Sequence, residues 1–354
     1  MSKVAVGIAA AMLLVACSAP TLTAITTITP SSVTPPASSP SQVSAPPLEQ
    51  SYERVIQRVL PSIVQITTTT GLGSGVVYDS AGHILTNAHV VGHATQMHVM
   101  PATGSTSRNA RLVKNFMGGD LAVIKVDDPK GLTPAKFGDS SKLRVGQFVL
   151  AMGNPLGLSS SVTDGIISAL GRTVSEPQEP DSPGATISGA IQTSAAINPG
   201  NSGGGLVDLS GQVIGIPTLA ATDPDLGGGA APGIGFAIPS NTATDIAAQI
   251  VRNGKVTNSH RAALGIRGSS LINADGQPAG VAVAKVDKGG AAEKAGIRPG
   301  DVIISINGKD TATLPVLAEE LSALKPGQQA KVKVAKEDGS TKTITITLGT
   351  LPGD

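Results

Sequence analysis

Short apolar runs broken by turn residues recur for nearly two hundred residues of this chain, and that rhythm most constrains its fold. The runs fall at 62–68, 75–78, 83–86, 121–126, 148–152, 162–170, 204–207, 213–216 and 234–238. Many short strands at such spacing predict a mainly β chain, as a sandwich or barrels. The 43 glycines and 25 prolines supply the turns and argue against a helical bundle. Aromatic residues make up only 2% and tryptophan is absent, so the core must be aliphatic. A single helix closes this region. Ile246, Ile250 and Val251 share a face, Ser240 is the expected cap, and Gly254 the expected stop.

The last ninety residues read as a second unit. Strands are expected at 264–267, 281–286 and 302–306, with a hairpin-type turn at Asn307-Gly308. Leu317, Leu321 and Leu324 lie on one helical face. Residues 331–336 and 341–348 alternate around Asp338-Gly339 and predict a closing hairpin.

The N-terminus has another character. Lys3 precedes an apolar run from 4 to 16, too short to span a bilayer and suited to a secretory signal. The run ends Leu14-Val15-Ala16-Cys17, which resembles a bacterial lipoprotein cleavage box. That resemblance implies lipidation of Cys17, the only cysteine, and attachment to a cell-envelope membrane by acyl chains. An incidental cysteine behind an ordinary secretory signal is the alternative. Residues 18–51 are rich in Ser, Thr and Pro and read as a tether. The expected organisation is therefore signal 1–17, tether 18–51, a domain at 52–254, a linker at 255–260 and a smaller domain at 261–350.

Three segments carry chemistry. Gly200-Asn201-Ser202-Gly203-Gly204 places a serine in a glycine-rich turn, where the backbone can approach a substrate carbonyl closely. Thr86-Asn87-Ala88-His89 sets a histidine after an apolar strand, and Gly119-Asp120-Leu121 sets a carboxylate just before one. Each alone is equally an ordinary turn or strand end. Together they give His89, Asp120 and Ser202, 31 and then 82 residues apart, in an order that two sets of strands could bring to one cleft.

At these residues the chain resembles the HtrA (Deg) family of trypsin-like serine proteases. TNAHVV, DLAVIKV and AAINPGNSGGGLVD are similar to that family's three catalytic signatures, and MGNPLG, GIISALGR and GIGFAIPSN to its second barrel. GVAVAKVDKGGAAEKAGIRPGDVIISINGKD resembles a bacterial PDZ domain. Over residues 52–350 the resemblance implies a chymotrypsin-like double β-barrel followed by one PDZ domain. It implies Ser202 as nucleophile, His89 as base, Asp120 as its orienting acid, and an oxyanion hole from the amides of Gly200 and Ser202. It places a carboxylate-binding loop at Ala263, Leu264, Gly265 and Ile266, with Leu317 and Leu321 lining a peptide groove. Segments 195–198 and 218–235 are the expected specificity loops, small and apolar, suited to small or medium aliphatic residues.

The implied partners are unfolded polypeptides and peptide C-termini, and the family's habit implies a homotrimer through residues 52–59. No cofactor is expected. Two positions depart from the family's pattern: Ser194 stands where an acid is usual and Ala263 where an aromatic is usual. A tethered chaperone or peptide-binding module with little proteolysis remains the competing function.

Other constellations point elsewhere. His89 and His93 have helical metal-ligand spacing, but their surroundings read as strand and loop and no metal is expected. Gly71-Leu72-Gly73-Ser74-Gly75 lacks the following helix of a dinucleotide loop and reads as a strand start beside the cleft. A formal net charge of +1 with 14% charged residues offers no footprint for nucleic acid.

Overall fold

The computed structural model describes residues 47–69, 71–154, 161–175, 185–198, 200–223, 229–336 and 338–353. The expected signal, Cys17 and most of the expected tether lie outside the described residues, as does 224–228 of the second expected specificity loop.

Helix α1 (Pro47–Val59) leads into β1 (Ile63–Thr67), β2 (Leu72–Val77), β3 (His83–Thr86), the one-turn helix α2 (Ala88–Val91), β4 (Gln96–Pro101), β5 (Arg108–Phe116) and β6 (Leu121–Val126). The six strands close in the order β1-β2-β3-β6-β5-β4. A second set follows: β7 (Phe148–Gly153), β8 (Ser161–Ser175), β9 (Thr186–Thr193), β10 (Gly205–Asp208), β11 (Val213–Asp223) and β12 (Gly229–Pro239). It closes as β10-β11-β12-β9-β8-β7, and α3 (Ser240–Asn253) comes after it. The expected double β-barrel is therefore present.

Period-two geometry explains why so many strands read as unbroken apolar runs. Successive side chains point to opposite faces of a strand. In β6, Ala122, Ile124 and Val126 fill the first barrel, while Leu121 and Val123 face the seam shared with the second. In β7, Val149 and Ala151 fill the second barrel and Leu150 and Met152 face the seam. Both faces are buried, so both must be apolar. Each fully buried Leu, Ile or Val contributes about 1.5–3 kcal/mol. The seam is thus a third core that fixes one barrel against the other, and α1 and α3 add Val55, Val59, Ile246 and Ile250 to it.

The last unit holds β13 (Ala262–Ala263), β14 (Ile266–Ile272), β15 (Pro278–Val286), α4 (Ala291–Lys294), β16 (Val302–Ile306), β17 (Lys309–Asp310), α5 (Leu314–Ser322), β18 (Gln329–Ala335), β19 (Thr341–Thr347) and β20 (Gly349–Thr350). Its main sheet runs β14-β15-β16-β18-β19, with β17 on β16 and a separate β13–β20 pair. Asn307 and Gly308 both have positive φ, 51° and 84°, as the type I′ turn demands.

Several expectations change. Strands β4, β5 and β9 were not legible, because their outward positions carry polar residues or glycine. Residues 218–235 are mostly the paired arms of β11 and β12 rather than a loop. Helix α1 begins at Pro47, inside the stretch read as tether; Pro suits a first helical turn, and Val55 and Val59 are buried.

Ser240 does not cap α3. It lies within the helix and its Oγ donates to Gly138 O at 2.7 Å. Gly254 does stop it, at φ 68°, with its amide on Ile250 O. The strand expected from Leu264 starts at Ile266, after Gly265 turns the chain at φ 73°. Leu324 lies beyond the end of α5, yet still packs on the core of the last unit. The expected linker is pinned to α3, since Gln249 Oε1 accepts from the amides of Thr257 (2.9 Å) and Asn258 (2.8 Å).

Candidate active site

The seam between the barrels brings the three chemical segments together. Strand β3 ends at Thr86, the chain turns at Asn87, and His89 rides on α2. This corrects the reading of strand and loop around His89. Helix α2 ends at Gly92, so His93 does not share a helical face with His89.

Asp120 stands between a short 3-10 turn and β6, with φ 51°. A non-glycine residue rarely adopts that left-handed backbone, and Asn87 Nδ2 holds it by donating to Asp120 O at 3.0 Å.

The Asp120 carboxylate is 1% exposed. It accepts from the His89 amide at 3.0 Å, and His89 Nδ1 lies 3.0 Å from each of its oxygens. An ionised carboxylate only accepts hydrogen bonds, so Nδ1 carries the ring proton and Nε2 keeps its lone pair. The His89 side chain is 33% exposed. Thr218 Oγ1 also donates to Asp120 Oδ2. The Thr218 carbonyl in turn accepts from Ser202 Oγ at 3.1 Å. One buried threonine therefore links the serine to the acid.

The Ser202 turn is built against the first barrel. The amide of Ser74, on β2, donates to Ser202 O at 3.0 Å. Its hydroxyl accepts from the Asn154 amide at 2.8 Å and donates to Gly200 O. Its carbonyl accepts from Thr86 Oγ1 at 2.6 Å. The glycines around Ser202 answer to this crowding. Gly203 has φ 80°, and a Cβ there would collide with Ser74 O and Thr86 Oγ1. Gly200 has φ 112°.

Sequence reasoning did not assign Ser74, Asn87 or Thr218 to the catalytic arrangement, although Ser74 and Asn87 lie within motifs it singled out and Thr218 opens the second expected specificity loop. Ser194, where an acid is usual, anchors its loop by two bonds to β8: its amide donates to Ile166 O at 3.1 Å and its Oγ accepts from Ile166 N at 3.0 Å. On the following segment Ala195 and Ile197 are buried, and Ile197 packs against Gly235.

In the last unit, Ala263 pairs with Gly349, Leu264 is buried, and Gly265 forms the turn. The carbonyls of Leu264 and Gly265 accept from Ala292 (2.8 Å) and Asp287 (2.9 Å). A groove opens between the start of β14 and α5, with Ile266, Leu317 and Leu321 in its walls.

Comparisons with known proteins agree with this architecture. The trypsin-like peptidase domain family matches residues 73–216, and the PDZ domain family matches residues 262–348. The chain is 40% identical over 285 residues to the periplasmic serine endoprotease DegP of Salmonella typhimurium, covering 78% of this chain and 56% of that one. It is 38% identical over 291 residues to the periplasmic pH-dependent serine endoprotease DegQ of Escherichia coli, covering 79% and 60%. It thus spans less than two thirds of the length of these curated relatives.

Among solved structures, the HtrA-type protease AlgW with decapeptide superposes with a TM-score of 0.56 at 31% identity, covering 86% of this chain and 99% of that one. A serine endoprotease from Yersinia pestis gives 0.55 at 33% identity, with 85% and 98% covered. Two barrels sharing one seam, a single PDZ domain behind them and near-complete alignment with HtrA-type structures lead to one assignment: the chain belongs to the HtrA family of trypsin-like serine proteases.

Proposed function

We propose that the chain is an exported serine endopeptidase that cleaves unfolded envelope proteins, with Ser202, His89 and Asp120 as its catalytic triad. The observation that carries this reading is the linkage of Ser202 to Asp120 through Thr218, beside the His89–Asp120 pair.

In the proposed mechanism Ser202 Oγ attacks the scissile carbonyl carbon and its proton passes to His89 Nε2. Asp120 holds the imidazole by Nδ1 and stabilises the imidazolium. The oxyanion is received by the amides of Gly200 and Ser202. His89 then delivers the proton to the leaving amine, which departs as the acyl-enzyme forms. Water, deprotonated by His89, then attacks the acyl carbon, and His89 returns that proton to Ser202 Oγ as the acid is released. Protonated His89 cannot serve as base, so activity falls in acid.

The small apolar wall at Ala195, Ile197 and Gly235 suits a small or medium aliphatic side chain at the cleavage position. The loop at Ala263, Leu264, Gly265 and Ile266 would receive a peptide C-terminus, with β14 pairing to the peptide. Residues 52–254 would form the protease and 261–350 the PDZ domain. Cys17 would carry the lipid that anchors the chain to an envelope membrane, and residues 52–59 would form a homotrimer contact.

Digestion of casein tests the proteolytic reading. The wild-type chain should degrade it, and Ser202→Ala should lower the rate by at least about 10³-fold. Full digestion by Ser202→Ala would remove Ser202 as nucleophile. A chain that binds casein without cleaving it, with or without a PDZ-directed peptide, would favour the chaperone reading.

A further inference from the structure

Arg261 stands where the linker meets β13, and its side chain is mostly buried. Burial lowers the guanidinium pKa to about 10. Nη1 donates to Gly118 O. Nε is buried and has no hydrogen-bond partner among the described residues. Among those residues no carboxylate pairs with the guanidinium either. The nearby Asp245 is engaged by His260 Nε2 at 3.2 Å and by Gln249 Nε2 at 2.7 Å. A buried cation without counter-charge is strongly unfavourable unless an anion neutralises it.

Beside this cation lies a cavity of about 460 Å³, walled by Phe116, Leu121, Ile187, Ile238 and Ile246. That volume falls within the usual range of small-ligand pockets, and so does the pairing of apolar walls with a few polar groups. Ser188 Oγ, on the same wall, is the second buried polar atom there without a partner among the described residues. Gly119 and Leu121, the chain neighbours of Asp120, also line the cavity.

We propose that this cavity binds a small monocarboxylate with an apolar chain. The carboxylate accepts from Arg261 Nε and Ser188 Oγ, and the chain lies against the aliphatic wall. The site differs from the groove expected to take peptide C-termini, which Arg261 also borders but which lies between β14 and α5.

Calorimetric titration of the full chain with octanoate tests the assignment. One octanoate per chain is expected, with a Kd on the order of 0.1–1 mM, and 1-octanol should bind at least about 10-fold more weakly because it lacks the charge. Arg261→Gln should weaken octanoate by at least about 10-fold with the circular dichroism spectrum unchanged. Thr242 is exposed on the cavity rim, so Thr242→Trp should block entry to a similar degree while leaving Arg261 intact. This second variant keeps the test decisive if Arg261→Gln misfolds. An absence of binding heat overturns the proposal, as does octanoate affinity that Thr242→Trp leaves unchanged or octanol binding as tight as octanoate. A C-terminal peptide directed at the PDZ groove should not compete; full competition would place octanoate in that groove and also overturn the proposal.

Discussion

Asp120→Asn should lower kcat on an unfolded protein by about 10⁴-fold, with a much smaller change in KM. The carboxylate takes three donors at once: the His89 amide, His89 Nδ1 and Thr218 Oγ1. A carboxamide of the same shape has one oxygen and one NH₂. Its NH₂ must face one of those donors, or the imidazole must move its proton from Nδ1 to Nε2. In the second case Nε2 no longer has a lone pair for the serine proton, and base catalysis is lost while the fold remains. Initial rates on casein, alongside a thermal melt, check this. Activity above a tenth of wild type would mean that Asp120 does not set the tautomer of His89.

Gly203→Ala should damage the site by a different route. The residue has φ 80°, a region that L side chains rarely adopt, and its Cβ would collide with Ser74 O and Thr86 Oγ1. Neither atom is the loose end of a flexible side chain: Ser74 O is backbone, and Thr86 Oγ1 is buried and bonded to it. The turn must therefore shift, and Ser202 is the adjacent residue. A displacement near 1 Å costs about 10²-fold in rate, and the strained backbone adds about 1–3 kcal/mol of instability. Activity on casein should fall by at least about 10²-fold with a lower Tm. Wild-type activity at an unchanged Tm would show that the turn has room that the structure denies it.

Much of this site was legible before any fold was known. Ser202 stands among glycines that only a crowded turn requires, His89 follows strand β3, and Asp120 immediately precedes β6. Motif and spacing carry that much. The residues that hold them together were not legible, for a physical reason. Thr218 contacts Asp120 across 98 positions of chain, and Ser74 contacts Gly200 across 126. No local pattern marks such partners, because the seam between two barrels creates them.

The fold divides the same way. Strands with both faces buried, such as β6 and β7, announce themselves as apolar runs. Strand β5 carries Arg108, Arg111 and Lys114, none of them buried, and reads as polar loop. Helix α1 hid its first turn behind a proline-rich approach. The departure at Ser194 was legible, but not its consequence: the shorter hydroxyl still anchors the loop, through Ile166 rather than through charge.

The central claim is that Ser202 is a nucleophile activated by His89. The most direct measurement is mass spectrometry after treatment with a serine-directed fluorophosphonate, with and without a PDZ-directed peptide. The account predicts one adduct, on the peptide containing Ser202, lost in Ser202→Ala and strongly slowed in His89→Ala. No adduct on Ser202 under either condition, or labelling at a rate indifferent to His89, would contradict it.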